Sequence, residues 1–327
     1  MTGALRVGIM GAGRMAQGFD APGDRHVLSL AHAVTRCDGM TLGGFFDLDP
    51  AGAARAESRW GVPETPRARD AWLDADWDVI AIATPDSCHR DDLCDVLARR
   101  PGAVIVEKPL ATDSRQAGEL LGRAGELGIP VFVNFPRRHH SGVAEAGTAM
   151  GAGRLGRPLA AQFAYSGAPE HSAVHMLDLF HQWWGGEWSV RPAGSSDETV
   201  LLTFQRADEC IAASFCRLPS DPYYLWEMSV LCEAGKVALT RSPEVLEVST
   251  PAPHPLYETF SVLTPAMTFD MESEPLLSRL MDAVAATVGD QKKISDQLAR
   301  EQASQQFSGA VLDQLVCATP SAQRAAS

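Results

Sequence analysis

The opening of this chain constrains its fold more than any other stretch. Residues 4–10 form an apolar run of strand length, followed directly by Gly11-Ala12-Gly13-Arg14-Met15-Ala16. A G-x-G-x-x-A pattern between a strand and a helix is typical of a dinucleotide-binding unit, in which the helix N-terminus also favours the phosphates. In such a unit Gly11, Gly13, Arg14 and Met15 are the candidate cofactor-binding residues. An ordinary tight turn between a strand and a helix has the same glycines, so the pattern needs a second signal.

The second signal is an acidic residue at the end of the next predicted strand, residues 40–46. Asp47 stands where such units bind the ribose of an adenosine, and no arginine follows it before Arg55 to hold a 2′-phosphate. These residues predict a site for NAD and make NADP the less favoured cofactor. The spacing from the glycines to Asp47 exceeds the roughly 20 residues usual for this unit. The extra length lies in residues 18–24, where Pro22 and Gly23 predict a loop that interrupts the helix.

The composition is typical of a globular chain with two domains. The 327 residues are 45% hydrophobic and 21% charged, and they exceed the size of one ordinary core. The formal net charge of −13 argues against a nucleic-acid partner, because a phosphate backbone is bound by clustered lysine and arginine. The seven cysteines lack a C-x-x-C pair, and no stretch resembles a signal peptide or reaches the ~20 apolar residues of a membrane span. We therefore expect a reduced, cytoplasmic chain without a membrane partner.

The order of predicted elements divides the chain after residue 136. Up to that point apolar runs alternate with amphipathic segments, which predicts a doubly wound parallel sheet with helices on both faces. From about residue 155 the predicted strands are short and follow one another directly, which is typical of an antiparallel sheet. We predict a dinucleotide-binding domain at 1–136 and a second domain at 137–327. The C-terminal helices of the second domain are expected to pack back on the first, and residues 318–327 to form a frayed tail.

Residues able to do chemistry follow two predicted strands of the first domain. Glu107-Lys108-Pro109 stands at the carboxyl end of the fifth predicted strand, the edge that faces the ligand crevice in a doubly wound sheet. Lys108 can there donate to a substrate oxygen and stabilise developing charge, or it is a solvated lysine in a turn. Thr84-Pro85 and His89, after the fourth predicted strand, lie beside the same crevice, although His89 also suits a helix surface. The peptide bond before Pro109 is predicted to be cis.

A second polar cluster belongs to the helix predicted around residues 174–184. His171, His175, Asp178 and His181 are spaced by four, three and three residues, which places them on one face of a helix. Asp178 can accept a hydrogen bond from His175, fix its tautomer and raise its basicity for proton transfer. A polar helix face without chemistry is one alternative. A metal site is another, which is disfavoured because H-E-x-x-H is absent and hydride transfer with NAD needs no metal.

Four elements in this order resemble the Gfo/Idh/MocA family, named for glucose-fructose oxidoreductase and inositol dehydrogenase. They are the glycine turn, Thr84-Pro85 with His89, Glu107-Lys108-Pro109-Leu110, and His175-Met176-Leu177-Asp178-Leu179. The resemblance implies a Rossmann domain, a second α/β domain with a large open antiparallel sheet, and NAD(P)-linked oxidation or reduction of a sugar, cyclitol or related polyol. It also implies that Lys108 is the catalytic lysine, that Glu107 and Lys108 lie at the cofactor, and that His175 is the acid/base histidine.

The chain departs from this family at His171, where many family dehydrogenases have an aspartate four residues before the histidine. His171 either takes over that catalytic role or marks a different substrate class. An NAD-cycling lyase, glycosidase or epimerase without net redox therefore stays open, as does a ligand-sensing protein of the same fold. Because an open sheet needs a cover, we expect a homodimer or homotetramer.

Overall fold

The chain divides into two compact units, which differ from the predicted domains in their treatment of the C-terminal helices. The computed structural model describes residues 3–111, 113–219 and 222–318. The first unit is Met1–Pro136 with Pro275–Gln302, and the second is Arg137–Glu274 with Ala303–Ser327. Residues 275–302, which the sequence placed in the second domain, thus belong to the first unit. The predicted tail beyond Ala318 lies outside the described residues.

Each unit is built on one sheet. The strands of the first unit are β1 (Leu5–Met10), β2 (Met40–Phe46), β3 (Val79–Ile82), β4 (Ala103–Val106) and β5 (Val131–Val133). The strands of the second unit are β6 (Pro158–Tyr165), β7 (Ser189–Ser195), β8 (Thr199–Arg206), β9 (Glu209–Arg217), β10 (Trp226–Cys232), β11 (Gly235–Thr240), β12 (Val245–Pro253) and β13 (Ser261–Asp270). The α-helices are α1 (Leu30–Thr35), α2 (Pro50–Trp60), α3 (Arg69–Leu73), α4 (His89–Ala98), α5 (Ser114–Leu127), α6 (Ser141–Gly151), α7 (Ala173–Trp184), α8 (Leu276–Thr287) and α9 (Gln291–Ala318).

The sheet of the first unit is parallel, with the strand order β2-β1-β3-β4-β5. Strands β3 and β4 are buried along their whole length, which is why each reads as a continuous apolar run. Helices α1, α2 and α8 contribute Leu30, Ala53 and Leu280 to the core on one face. The sequence counted one strand too many before Lys108, which follows the fourth strand, β4; Thr84 likewise follows the third, β3.

The first crossover is interrupted, as the sequence predicted. Only Arg14–Gly18 is helical after the glycine turn, in a single π-helical turn, and α1 begins at Leu30. The loop between them is fixed by buried Asp20, which accepts hydrogen bonds from the Leu28 N–H (2.6 Å) and lies 2.8 Å from Nδ1 of His32. Burial alone would raise the pKa of Asp20, but these hydrogen bonds lower it below its ordinary value. A buried carboxylate therefore holds the inserted loop against α1.

The sheet of the second unit has the order β13-β12-β11-β10-β6-β9-β8-β7. Among the strand pairs of the described residues, β6 and β9 run parallel and the others antiparallel, so the antiparallel prediction is wrong for this one pair. The segment between β6 and β9 contains α7 and the β7–β8 hairpin, which gives the long crossover that parallel neighbours require. Helix α7 and the end of α9 cover one face, where Phe307 packs on Phe180 and Phe204.

Histidine 181 is part of this core. Its ring stacks on Phe307 with centroids 5.6 Å apart, and its Nε2 lies 3.2 Å from the carbonyl oxygen of Gly186. Burial lowers the pKa of His181 below 6.5, against the effect of the hydrogen bond to Gly186. The neutral ring is therefore the form that suits the folded state.

We expect the chain to lose stability on acidification partly through His181. Because the pKa of His181 is lower in the folded state, the unfolded state takes up the proton first as the pH falls below 6.5. The free energy of unfolding then decreases, and a difference of one between the two pKa values corresponds to about 1.4 kcal/mol. His181→Gln keeps a donor for Gly186 but cannot titrate. Urea denaturation from about pH 7.5 to about pH 5.5 should show a shallower decline for this variant, whereas His26→Gln on the surface should keep the wild-type slope. Equal slopes for all three proteins would contradict the assignment.

Candidate active site

The glycine turn after β1 leaves space for a bound group. Gly11 has a φ of +99°, and a Cβ there would lie 2.4 Å from the carbonyl oxygen of Ala83, so only glycine lets the turn approach the end of β3. A Cβ on Gly13 would meet no atom within 4 Å, so the turn faces open space at this residue. Arg14 is exposed, and Met15 is half-buried. This is the shape that close approach of a diphosphate to the backbone requires.

Asp47 lies beside this turn, at the end of β2. Its Oδ2 accepts a hydrogen bond from the Ala12 N–H (2.8 Å), and its Oδ1 accepts one from the Asp49 N–H (2.8 Å). An ionised carboxylate has about four acceptor positions, so Asp47 can accept further bonds from a ribose. Arg55 is exposed and donates to Asp49 at 3.1 Å. Asp47 therefore fixes the glycine turn and also has acceptor positions left for a ligand.

Lys108 follows β4 at the carboxyl edge of the sheet, and its side chain is half-buried. The carboxylate of Glu107 before it is buried and accepts a hydrogen bond from Nδ2 of Asn134, which follows β5. Burial raises the pKa of Glu107, while the Asn134 amide and the Lys108 charge act in the opposite direction. The Lys108–Pro109 peptide bond is cis, as predicted. Glu107 is thus a buried link between two strand ends, and its predicted place at the cofactor stays a prediction.

His89 is fully buried at the start of α4. Its Nδ1 lies 2.7 Å from the carbonyl oxygen of Pro109, and its Nε2 lies 2.8 Å from that of Thr84. His89 therefore joins the turn after β3 to the turn that carries Lys108. The ring has no exposed surface, and its predicted place beside the cofactor stays a prediction.

The two residues predicted beside His89 differ in their surroundings. The Thr84 hydroxyl donates a hydrogen bond to Asp92 of α4 (2.6 Å), so this side chain is turned towards the helix. Pro85 is exposed and precedes the short 3-10 turn that leads into α4. Of the two, Pro85 is the one that presents its surface outside the unit.

We expect His89→Ala to destabilise the protein. Loss of the ring removes the donor between two partly buried carbonyl oxygens, at a cost of about 1–3 kcal/mol. The midpoint of urea denaturation should fall accordingly, while the matched surface variant His26→Ala should unfold like the wild type. An unchanged midpoint in His89→Ala would show that the two bonds contribute no stability.

The predicted histidines are divided between α7 and the turn before it. The helix begins at Ala173, so His175 lies in its first turn and His171 in an exposed turn that precedes it. The half-buried ring of His175 meets the indole of Trp226 edge to face, with centroids 6.4 Å apart. Because His181 belongs to the core, the predicted polar face does not continue along the helix. His175 is therefore the histidine that α7 leaves at a partly open position.

Asp178 is held by an arginine of the segment that precedes α6. It is 2% exposed, and its carboxylate accepts hydrogen bonds from Nε of Arg138 (3.0 Å), from a terminal nitrogen of the same guanidinium, and from the Ser304 hydroxyl (2.8 Å). Two parallel N–H donors from arginine to one carboxylate form a strong and geometrically specific pair. These bonds fix Asp178 in the core, and its predicted orientation of His175 stays a prediction. Asp178 ties α7 to the start of the second unit.

Three partner residues were missing from the predicted site. Asn134 binds Glu107, and Arg138 and Ser304 bind Asp178. Asn134 and Arg138 lie close to the end of the last predicted strand of the first domain, a position that could have suggested them. Ser304 lies in α9, 126 residues from Asp178, and the sequence has no local signal for this contact.

The described residues were also compared with three other kinds of site: disulfides, metal centres and membrane-spanning helices. All seven cysteines are free thiols. Within residues 3–111, 113–219 and 222–318, no three His, Cys, Asp or Glu side chains are grouped so that they could hold a metal ion. In the same residues, no helix is both long and apolar enough to cross a membrane.

Residues 5–135 match the model of an oxidoreductase family with an NAD-binding Rossmann fold, the Gfo/Idh/MocA family. The match lies within the first unit of the chain. A curated relative, the inositol 2-dehydrogenase of Mycolicibacterium smegmatis, is 34% identical over 159 residues, which are 47% of this chain and 42% of that protein. The chain spans about half the length of the curated relatives it matches.

Two solved structures share the fold of nearly the whole chain. An NAD binding oxidoreductase from Klebsiella pneumoniae has a TM-score of 0.75 at 15% identity, over 96% of this chain and 97% of that one. A mutant of KijD10, a 3-ketoreductase from Actinomadura kijaniata in complex with TDP-benzene and NADP, has a TM-score of 0.71 at 17% identity, over 97% and 98%. A Rossmann unit followed by a unit with a large, mostly antiparallel sheet is therefore the fold of this chain, as the resemblance implied.

Proposed function

We propose that this chain is an NAD-dependent oxidoreductase that transfers a hydride between the nicotinamide and a secondary alcohol or ketone of a sugar, cyclitol or related polyol. The observation that carries the proposal is the carboxyl edge of the first sheet, where the open glycine turn and the Lys108 turn follow β1 and β4. The edge of a doubly wound sheet at which the strands end is where such folds bind their ligands. The identity to an inositol 2-dehydrogenase supports the substrate class.

The residues of the first unit fit a dinucleotide, which would supply the hydride acceptor or donor when bound. Gly11 and Gly13 would let the backbone approach the diphosphate, and Asp47 would accept hydrogen bonds from the ribose. Lys108 would donate a hydrogen bond to the reacting oxygen of the substrate and stabilise negative charge on it. His175 would exchange the proton of that oxygen, since an imidazole titrates close to neutral pH. His171 remains a candidate for a third polar contact to the substrate.

We expect Lys108→Ala and His175→Ala each to lower turnover by ~10²-fold or more, because each removes a group that acts on the reacting oxygen. The change in absorbance at 340 nm, measured with a panel of polyols, gives the rate. Groups that act as one unit are not additive, so the double variant should be little slower than either single one.

Lys292→Ala and His26→Ala, which remove an exposed lysine and an exposed histidine, are the matched controls and should turn over like the wild type. Near-normal turnover in both site variants would remove these roles. Product formation without any net change in NADH would indicate an NAD-cycling reaction in place of a dehydrogenase.

NAD is the cofactor that we propose, in preference to NADP. The Asp47 carboxylate would repel a 2′-phosphate, and the guanidinium of Arg55 is engaged by Asp49. We therefore expect NAD to raise the melting temperature more than NADP at equal concentration, because a ligand that binds only the folded state stabilises it. Asp47→Asn should reduce the difference. An equal or larger shift with NADP for the wild type would contradict the assignment.

Self-association is also a proposal. The hairpin of β12 and β13 carries exposed apolar side chains at Leu256, Phe260 and Leu263, and Leu159 and Leu231 are exposed on the sheet itself. Exposed apolar groups of this kind are typical of surfaces covered by a second subunit. A homodimer or homotetramer would provide the cover, and the cytoplasmic location stays a prediction from the sequence.

A further inference from the structure

The second unit contains two adjacent arginines, of which one is paired with a described carboxylate. Arg138 is buried and paired with Asp178. Arg137 is half-buried, and its guanidinium carbon lies over the indole of Trp226, 4.5 Å from the ring centroid. The Tyr224 hydroxyl acts on its charge, and none of the described carboxylates forms an ion pair with it. Within the described residues, Arg137 is therefore a cation removed from part of its water without an anion beside it.

A second arginine occupies the same end of the large sheet. Arg217 is the last residue of β9, and its Nε is buried without a hydrogen-bond partner in the described part of the chain. The strand register places Arg217 beside Tyr165 of β6, and Tyr165 beside Trp226 of β10. None of the described carboxylates forms an ion pair with Arg217 either. Arg217 is thus a second cation without a counter-charge among the residues that the structure describes.

These residues share one face of the sheet. Side chains alternate along a strand, and in β9 the buried positions Ala213 and Phe215 precede Arg217 at intervals of two, so Arg217 lies on the face that α7 covers. Trp226 is on that face as well, because its Nε1 donates to the carbonyl oxygen of Ser172, just before α7 (2.9 Å). Since neighbouring strands are about 4.8 Å apart, Trp226 and Arg217 are separated by about 10 Å at the backbone.

The histidine proposed as the acid/base group lies against the same tryptophan. The ring of His175 meets the indole of Trp226, which also contacts Arg137. A ligand the size of one sugar ring could therefore contact His175 and an arginine at the same time.

Physical chemistry favours an anion as the missing partner. Burial lowers the pKa of Arg137, against the effect of the Tyr224 hydroxyl, which shows that its charge is only partly compensated. A guanidinium stacked on an indole through its face keeps its N–H groups free at its edge. This edge matches two oxygens of a carboxylate or a phosphoryl group, whereas a neutral hydroxyl leaves the charge without compensation.

We propose that Arg137 and Arg217 bind an anionic substituent, a carboxylate or a phosphoryl group, on the carbohydrate substrate. This inference rests on the proposed function through His175, and it narrows the substrate class from polyols in general to sugar acids, sugar phosphates or nucleotide-linked sugars. The two arginines are then the residues that select the charged substrate, and Trp226 holds Arg137 in place.

Sets of ligands that differ only in charge test the proposal. For several hexoses, the neutral sugar, its uronate and its phosphate ester are titrated into the protein by calorimetry in the presence of NADH, and their turnover is measured in the presence of NAD. In at least one set we expect an anionic member to bind about 10- to 100-fold more tightly than the neutral one, the gain typical of a charged hydrogen-bonded pair. The uronate and phosphate arms then tell a carboxylate from a phosphoryl group. Neutral ligands that bind as well as the anions in every set would overturn the proposal.

Substitutions of the two arginines test whether they cause the preference for the anionic ligand. Arg137→Gln should remove most of the preference for the anion and change the affinity for the neutral member by less than about threefold, and Arg217→Gln should act in the same direction. Arg137→Lys, which keeps the charge without the planar fork, should retain part of the preference. Arg191→Gln, at an exposed arginine of β7, is the matched control and should behave like the wild type. Equal losses for charged and neutral ligands in Arg137→Gln would refute the role.

The two readouts separate this proposal from the proposed function. Anion-selective binding that depends on Arg137, without any change in NADH, would leave the anion site standing and remove the dehydrogenase activity. Turnover of neutral polyols that Arg137→Gln does not affect would leave the dehydrogenase activity standing and remove the anion site.

Discussion

The buried ion pair between Arg138 and Asp178 determines which polar groups of the second unit are left for chemistry. Both residues are almost fully buried, and the loss of either would leave a charge without compensation, at a cost of about 3–5 kcal/mol. The pair holds the carboxylate that the helical spacing had also assigned to His175. The surroundings of His175 include an aromatic ring, Trp226, and the positive charge next to that ring belongs to Arg137.

Twice in the chain, one of two consecutive charged residues is buried with a polar partner and the other is partly exposed. After β4, Glu107 is buried and bound by Asn134, and Lys108 is half-buried at the carboxyl edge. After the boundary between the units, Arg138 is buried and paired while Arg137 stays partly open. Consecutive residues point in different directions, so one enters the core with a fixed partner and the next stays partly exposed. Neighbouring residues of one motif therefore lie in different surroundings.

The sequence predicts those parts of the fold that a local pattern of residues specifies, and it does not predict the others. The ends of α2 and α5 follow from a local signal, because a glycine in the left-handed region ends each helix, Gly61 and Gly128. Strands β7 and β13 have no such signal. They are the two edge strands of their sheet, they are mostly exposed, and they contain Pro192 and Pro265, so neither shows the alternation on which strand prediction relies. The parallel pairing of β6 with β9 joins strands that are distant in the sequence, and no local pattern predicts it.

For the candidate site, residue types were predicted better than their partners. The position of Lys108 at the carboxyl edge follows from the alternation of strands and helices, and the order of motifs pointed to His175. The partners of Asp178 and His89 described above come from tertiary contacts over tens of residues. Spacing along a helix shows which groups can meet, but it does not show that an arginine from another segment binds the same carboxylate.

The interrupted first crossover changes how the glycine turn is held. A long helix would fix the turn and direct its dipole at a bound phosphate, but here a single turn, Arg14–Gly18, follows the glycines, and the contribution of a dipole falls with it. The turn is instead fixed from the neighbouring strand, since Gly11 donates to the carbonyl oxygen of Phe46 (2.7 Å) and Ala12 donates to Asp47 (2.8 Å). The residue that would recognise the ribose thus also shapes the turn that would receive the diphosphate. The parts of the site that would bind the ribose and the diphosphate therefore both depend on one carboxylate at the end of β2.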